Sequence, residues 1–396
     1  MDITISPRIL NGTVNIIPSK SQAHRLLICA AFADKPTMLY CTETNRDIEA
    51  TAACLKALGA KIFRNENGYL VYPVVNIPNC AILNCQESGS TLRFMLPVAG
   101  ALGVDATFLM EGRLPQRPLS PLWEEMERMG CTLSRPSENT IHCTGKLRSG
   151  EYTVDGGVSS QFITGLLLAL SLLPGKSTLK ITGKTESKPY IELTKNAMRL
   201  FGIDPEDLGG CRFISPGSAA VEGDWSNAAF YLVADFLGSQ IVVDGLNPNS
   251  PQGDRAVISI LEDMKSGTPT IDAADIPDLI PVLSIAAVCS KGALFQNISR
   301  LRLKESDRVA SICAMLNALG CKAESDENTL RVFPGTITGG TVNTCKDHRI
   351  AMSSAIAATV ASGDVIILGA ECANKSYPKF WDEYVKLGGS YEQYIR

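Results

Sequence analysis

The stretch that decides the fold is Ser88-Gly89-Ser90-Thr91-Leu92-Arg93, followed at once by the apolar run Phe94-Met95-Leu96-Pro97-Val98-Ala99. Serine and glycine at the head of an apolar run cap a helix by satisfying its unpaired backbone N–H groups. Five further segments share this design: Ser19-Lys20-Ser21-Gln22-Ala23-His24-Arg25, Ser159-Ser160-Gln161, Asp224-Trp225-Ser226-Asn227, Ile276-Pro277-Asp278 and Asp347-His348-Arg349. Successive copies start about 50 to 70 residues apart, a spacing that signals repeat architecture. Lys20, Arg93 and Arg349 add positive charge where the helix dipole is already positive, which is unfavourable unless an anion sits there. Helix starts with added cations are anion sites, so the pattern predicts a protein that clamps a polyanionic small molecule.

Working outward, each opening helix is followed by a second, amphipathic one closed by glycine. The closures are Leu58-Gly59, Met129-Gly130, Phe201-Gly202, Leu319-Gly320 and Leu387-Gly388, with a less regular version at Lys265-Ser266-Gly267. Glycine just past the last apolar residue is a left-handed C-cap. Short alternating runs between helices, such as Thr107–Met110, Thr178–Ile181 and Gln240–Val243, read as strands. The chain therefore reads as an α/β protein of six similar subdomains, falling into two groups of three. The Ser/Gly/Pro region from Cys211 to Gly223 is the best internal boundary.

Composition narrows the partners. A chain of 396 residues supports about two domains, each with its own core. Net charge is −4, so no bulk basic field exists to hold nucleic acid or an anionic membrane. The longest apolar stretch, Ile163 to Leu173, is interrupted by Thr164, Gly165 and Ser171 and is too short to span a bilayer. The first residues, Met1-Asp2-Ile3-Thr4-Ile5, lack the features of a signal peptide. Thirteen cysteines form no C-x-x-C pair and no zinc-like spacing with the three histidines. Cys29, Cys54, Cys289 and Cys313 sit in apolar context and are expected to be reduced core residues of a cytoplasmic protein without a structural metal.

The candidate chemistry lies in short motifs, each with a plain alternative. Lys20, Ser21 and Arg25 are anion ligands or a solvated helix tip. Gly89 lets a ligand approach the backbone and Arg93 can fork onto a phosphate or carboxylate, yet Ser88–Thr91 also suits a simple capped turn. Glu111-Gly112-Arg113-Leu114-Pro115-Gln116-Arg117-Pro118-Leu119 presents two arginines on a proline-stiffened loop, or a solvated loop. Ser159-Ser160-Gln161 suits an oxyanion or a doubled cap, and Thr185-Glu186-Ser187-Lys188-Pro189-Tyr190 could complete that pocket. Asp278 is a helix cap or a general base near neutral in pKa. Lys304-Glu305-Ser306-Asp307-Arg308 is a set of surface ion pairs or a proton carrier flanked by anion-holding cations. The census is Lys20, Arg25, Arg93, Arg117, Lys304, Arg308, Arg349 and Lys375, with Asp278 and Glu305 as the only embedded acids. It fits phosphate and carboxylate ligands with proton transfer. No Walker loop or G-x-G-x-x-G calls for ATP or NAD.

In order and spacing, these motifs together resemble the EPSP synthase family of enolpyruvyl transferases, and the resemblance covers essentially the whole chain. It rests on Pro18-Ser19-Lys20-Ser21 with Arg25, Ser88 to Arg93, Arg117-Pro118, Ser159-Ser160-Gln161, Ser187-Lys188-Pro189-Tyr190, Pro277-Asp278, Lys304 to Arg308, Asp347-His348-Arg349 and Lys375-Ser376-Tyr377-Pro378. The resemblance implies a two-domain inside-out α/β barrel. Each domain would hold three βαβαββ repeats with pseudo-threefold symmetry, residues 19–221 forming one lobe and 1–18 plus 222–396 the other. Ligands would bind in an interdomain cleft that closes around them.

The implied reaction moves the enolpyruvyl group of phosphoenolpyruvate to the 5-hydroxyl of 3-phosphoshikimate, without a cofactor. By matching position, Ser159, Ser160 and Ser187 would hold the shikimate phosphate, with Lys20, Ser21, Arg25, Gln161, Tyr190, Asp278 and Lys304 around that ligand. Lys20, Gly89, Arg93, Arg117, Gln161, Arg308, Arg349 and Lys375 would hold phosphoenolpyruvate. Asp278 would take the hydroxyl proton, and Glu305 would protonate the methylene carbon, with Lys20 assisting. The partners are these two small molecules, not nucleic acid or membrane, and a cytoplasmic monomer is expected.

Three positions depart from the family pattern. Glu87 and His24 stand where Asn is common, and Arg300 replaces an Asn that touches the shikimate ligand in some members. The sister enzyme acting on UDP-N-acetylglucosamine should show Lys-Asn at the first helix and a cysteine in the 113–117 loop; this chain has Lys20-Ser21 and no cysteine there. A non-catalytic anion-binding protein would have no need of both Asp278 and Glu305.

Overall fold

In a computed structural model that describes residues 1–394, the chain divides into two compact units. One runs from Pro18 to Glu222; the other joins Met1–Ile17 to the chain from Gly223 onward.

The Pro18–Glu222 unit holds helices α1 (Lys20–Ala31), α2 (Arg46–Ala57), α3 (Gly89–Leu102), α4 (Leu122–Arg128), α5 (Ser160–Ser171) and α6 (Lys188–Leu200). Three sheets surround them. In the first, the strand order is Ser218–Ala220, Thr37–Tyr40, Gly68–Tyr72, Lys61–Asn65; in the second, Cys80–Asn84, Asp105–Leu109, Thr140–Gly145, Cys131–Ser137. In both, the first two strands pair in parallel and the rest antiparallel. The third sheet is only the parallel pair Glu151–Asp155 and Thr178–Thr182. Nearly every residue of α3 and α5 is buried, the signature of helices packed on all sides. They approach closely at Gly165, where a Cβ would lie 2.2 Å from the Arg93 carbonyl oxygen.

The second unit repeats the plan with α7 (Trp225–Phe236), α8 (Val257–Ser266), α9 (Ile280–Val288), α10 (Arg308–Ala318), α11 (His348–Ala358) and α12 (Phe380–Lys386). Asn11–Asn15 pairs in parallel with Gln240–Asp244. One four-stranded sheet comprises Thr270–Asp272, Ala293–Gln296, Thr329–Val332 and Ala323–Ser325. The other comprises Gly340–Asn343, Val365–Leu368, Ile3–Ile5 and Glu392–Gln393. Residues 1–17 thus lend strands to two sheets of this unit. Helices α9 and α11 are wholly buried, and α7 is nearly so.

Two expectations need correction. The uniform βαβαββ repeat fails in the third and fourth copies, which keep only a parallel pair. After α6 the chain passes Pro205, Gly209, Gly210, Pro216 and Gly217, residues that break strands, before one strand returns to the first sheet. After α8 only Gly267, Thr268 and Pro269 precede the next repeat's strand, leaving no length for a hairpin. Gly267 is accordingly extended (φ −160°), whereas Gly59, Gly130, Gly202, Gly320 and Gly388 all have the positive φ of a left-handed closure. The cysteines are also less uniform than expected. Cys29 and Cys54 are buried, but Cys289, the C-cap of α9, is exposed and Cys313, midway along α10, is half-exposed. Among the described residues, no helix is long and apolar enough to cross a membrane.

Candidate active site

The structure brings the sequence-predicted residues together in two groups, one in each unit. In the Pro18–Glu222 unit they gather at the starts of α1, α3, α5 and α6. Ser19, Ser88 and Ser159 cap their helices as expected, each side chain accepting a backbone N–H. Ser187 instead precedes α6 in a left-handed conformation (φ 56°) without a side-chain cap bond.

The guanidinium of Arg93 donates to Gly89 O (3.4 Å), Gln161 Oε1 (3.2 Å) and Pro118 O (3.0 Å). Gln161 in turn donates from Nε2 to Ser90 Oγ at 3.0 Å, tying α5 to α3. A Cβ on Gly89 would lie 2.6 Å from Arg117 Nη1 and 2.7 Å from Arg93 Nη1. Two guanidiniums therefore converge over one residue, where even a methyl group would displace them. The Nε of Arg117 is buried without a hydrogen-bond partner. Arg113, on the same loop, is exposed and does not join. The carboxylate of Glu87 lies against Gly112, where a Cβ would overlap it.

Arg25, a sequence-predicted ligand residue, is held by hydrogen bonds within this unit. It is buried and donates to Thr194 Oγ1 (2.8 Å), Thr164 Oγ1 (3.2 Å), Tyr190 O (2.9 Å) and Ser21 O (2.5 Å). It thereby fixes Ser21 and Tyr190, which are half-buried, relative to each other. Lys20 Nζ meets Asp47 Oδ2 at 3.0 Å, a partner the sequence reading did not name.

The group in the other unit is built around Arg308, whose side chain is 1% exposed. It donates to Asp278 Oδ1 at 2.8 Å, Glu305 Oε2 at 2.9 Å and Asp347 Oδ2 at 3.0 Å. Arg349 reaches the other oxygen of Asp278 at 3.2 Å, and Lys375 Nζ lies 3.9 Å from Glu305 Oε1. A buried guanidinium needs such pairing, since an unpaired charge out of water is strongly unfavourable. Burial lowers the tendency of Arg308 to stay charged, and Asp347, Glu305 and Asp278 more than restore it. Lys304 is drawn down to about 8 by burial, with Asp278 opposing.

Three readings are corrected here. Asp278 is not a helix cap: α9 begins at Ile280 and is preceded by Leu279, while the Asp278 carboxylate turns to Arg308 and Arg349. Nor is it poised near neutrality. Burial pushes its carboxyl up, but Arg349, Lys304 and Arg308 outweigh burial and hold it well below the usual carboxylate range. Asp278 and Glu305 are also not the only embedded acids, because Asp47, Asp224, Asp254 and Asp347 are buried as well. Asp254 is pushed up to about 7 by burial and then by the charge of Asp278, with Arg349 opposing. Asp347 carried a signal, since an acid before His348-Arg349 caps α11 by accepting Arg349 N–H (3.0 Å). Asp254 carried none, lying in a short turn whose fold depends on Gln252 bonding Trp225 N and Gly223 O.

Comparison with known proteins bears on the same pattern. Residues 5–384 match the family described as EPSP synthase (3-phosphoshikimate 1-carboxyvinyltransferase). The chain belongs to the EPSP synthase family. A 3-phosphoshikimate 1-carboxyvinyltransferase of Clostridium kluyveri is 38% identical over 422 aligned positions, covering 99% of this chain and 98% of that protein. One from Clostridium perfringens is 39% identical, with 98% of each covered. A solved EPSP synthase from Acinetobacter baumannii superposes with a TM-score of 0.80 at 23% identity, covering 99% of this chain and all of that one, which shows the shared α/β fold. Within the EPSP synthase family frame, the helix starts and the Arg308 group are where anionic ligands and proton transfer are to be sought.

Proposed function

We propose that this chain transfers the enolpyruvyl group of phosphoenolpyruvate to the 5-hydroxyl of 3-phosphoshikimate, releasing inorganic phosphate by addition and elimination. The observation that carries the reading is that Asp278 and Glu305, 27 positions apart, hang on one buried guanidinium with Lys375 beside them. Two proton carriers held on a single rigid hub suit a reaction in which one proton leaves an oxygen as another reaches a carbon. Asp278 takes the hydroxyl proton, and Glu305 delivers one to the methylene carbon. The cationic centre at the neighbouring carbon is captured by the oxygen to give a tetrahedral phosphate ketal. In the elimination Glu305 takes a proton back from the methyl carbon and Asp278 gives its proton to the departing phosphate, with Lys20 assisting.

Because Asp278 is so weakly basic with three cations around it, its task falls to a complex in which ligand anions have partly neutralised them. Ser159, Ser160 and Ser187 would hold the shikimate phosphate, with Lys20, Ser21, Arg25, Gln161, Tyr190 and Lys304 around that ligand. Lys20, Gly89, Arg93, Arg117, Gln161, Arg308, Arg349 and Lys375 would hold phosphoenolpyruvate. Preorganised cations matter where two phosphates and a carboxylate must be brought together. The same reading makes the protein a cytoplasmic monomer that needs no cofactor.

The test is to mix purified protein with both substrates and follow inorganic phosphate. Release that requires 3-phosphoshikimate supports the reading. Release with UDP-N-acetylglucosamine as acceptor, or none with either, would discard it.

A further inference from the structure

We propose that His24 is a positioning residue: through Thr51 and Thr91 it sets where the start of α3, with Gly89 and Arg93, stands relative to Lys20. His24 Nδ1 lies 2.7 Å from Thr51 Oγ1, which lies 2.7 Å from Thr91 Oγ1, which lies 2.7 Å from Ser88 Oγ. Ser88 caps α3 by accepting the Thr91 N–H at 3.2 Å. A second path leaves the same hydroxyl: Thr91 Oγ1 is 3.3 Å from the Asp47 carbonyl oxygen, and the Asp47 carboxylate holds Lys20 at 3.0 Å. Lys20 and His24 stand one turn apart on α1. The contacts therefore close a circuit from α1 through α2 to α3 and back.

This circuit is more than helix packing. All four side chains from His24 to Ser88 are fully buried. Apolar side chains of equal volume could fill the same space without the desolvation that hydroxyls and an imidazole incur. Apolar contact is also non-directional, whereas a string of hydrogen bonds fixes distance and angle. A ligand gripped by Lys20 from one helix and by Gly89 and Arg93 from another needs such fixing, because small misplacements are costly to reactivity. In the order His24 to Thr51 to Thr91, each group donates one proton onward, and the Thr91 hydroxyl proton is shared between Ser88 Oγ and the Asp47 carbonyl oxygen.

His24 also holds its proton count. Burial first, then Lys20 and Arg25, drive its pKa down to about 3 against the pull of Asp47, so the ring stays neutral across the working pH range. Its Nε2 is buried without a hydrogen-bond partner. Only the Nδ1 contact is used, and an asparagine amide can reproduce that contact from the same backbone position.

Since Gly89 and Arg93 are assigned to phosphoenolpyruvate alone and Lys20 to both ligands, the kinetic part of the test rests on the proposed function. In His24→Ala and in the volume-preserving Thr51→Val, the KM for phosphoenolpyruvate is expected to rise about tenfold while that for 3-phosphoshikimate stays within about twofold. His24→Asn is expected to restore it. Independently of turnover, hydrogen exchange at the amides of Thr91, Leu92 and Arg93 is expected to quicken in both damaged variants and not at the start of α5. An equal rise in both KM values, no rescue by asparagine, or unchanged exchange at those amides would each overturn the proposal. Wild-type protein that releases no phosphate would sink the transfer reaction instead, while the exchange comparison would still decide the role of His24.

Discussion

The two units spend their positive charge differently. In the Pro18–Glu222 unit, the bonds of Arg25 and Arg93 described above go to carbonyl, hydroxyl and amide oxygens, and Arg117 keeps a buried Nε without a hydrogen bond. In the other unit, Arg308 is gripped by three carboxylates, and Arg349 meets that of Asp278. Cations held by neutral oxygens keep their full charge for an incoming anion. Cations held by carboxylates also orient those acids, and Arg308, Arg349 and Lys375 would do so while binding phosphoenolpyruvate; in the first unit Lys20, paired with Asp47, is the exception. The first arrangement suits ligand binding alone, and the second couples it to proton transfer.

The sharpest way to break that division is to remove the acids. Asp278→Ala and Glu305→Ala are each expected to lower turnover by about a hundredfold to ten-thousandfold, the range of general acid–base catalysis. Calorimetry should still detect 3-phosphoshikimate binding. Near-normal phosphate release in either variant would erase the distinction between the units. Arg117→Ala should do the reverse, raising the KM for phosphoenolpyruvate about tenfold or more, the scale of one lost charge-assisted bond. Its effect on 3-phosphoshikimate should be slight, and equal effects on both would reassign the residue. Gly89→Ala should act in the same sense but more mildly, by pushing the two guanidiniums off the helix start, with the melting temperature little changed.

Stability against pH sharpens the contrast further. Asp254 has its carboxyl raised from 3.8 to about 7 in the folded state, so folding favours its protonated form. Its contribution is present below the unfolded pKa and is lost as pH rises through about 7. Asp254→Asn should therefore flatten the fall in urea midpoint as pH rises from the unfolded value of 3.8 to about 7; an identical slope in both proteins would show that another group sets it. The smallest effect is expected at a cap. Ser159→Ala removes the acceptor for Gln161 N–H and should cost about 1 kcal/mol by urea denaturation.

Much of this architecture was legible because caps and closures are local. Ser19, Ser88, Ser159, Asp224 and Asp347 each begin the helix that their sequence announces, since a side-chain oxygen finds an N–H two or three residues on. Asp278 misled because an acid before Leu279-Ile280-Pro281 looks like a cap, while its true partners lie 30 and 71 positions away. Asp47 escaped notice for the same reason: nothing near it in sequence predicts that it meets Lys20. The absent hairpins of the third and fourth repeats were legible only in part. Glycines and prolines mark that region, but the pull of a regular repeat outweighed them.

The split origin of one unit bears on how the protein is made. Ile3–Ile5 pairs with Val365–Leu368 and Glu392–Gln393, while Asn11–Asn15 pairs with Gln240–Asp244. During synthesis Asn11–Asn15 must wait, unpaired, until Gln240–Asp244 is made, and Ile3–Ile5 until Val365–Leu368 is made. The Pro18–Glu222 unit needs nothing made later and can fold long before then. Its early folding would shorten the effective separation of strands that are far apart in sequence, easing a closure that contact order alone would make slow.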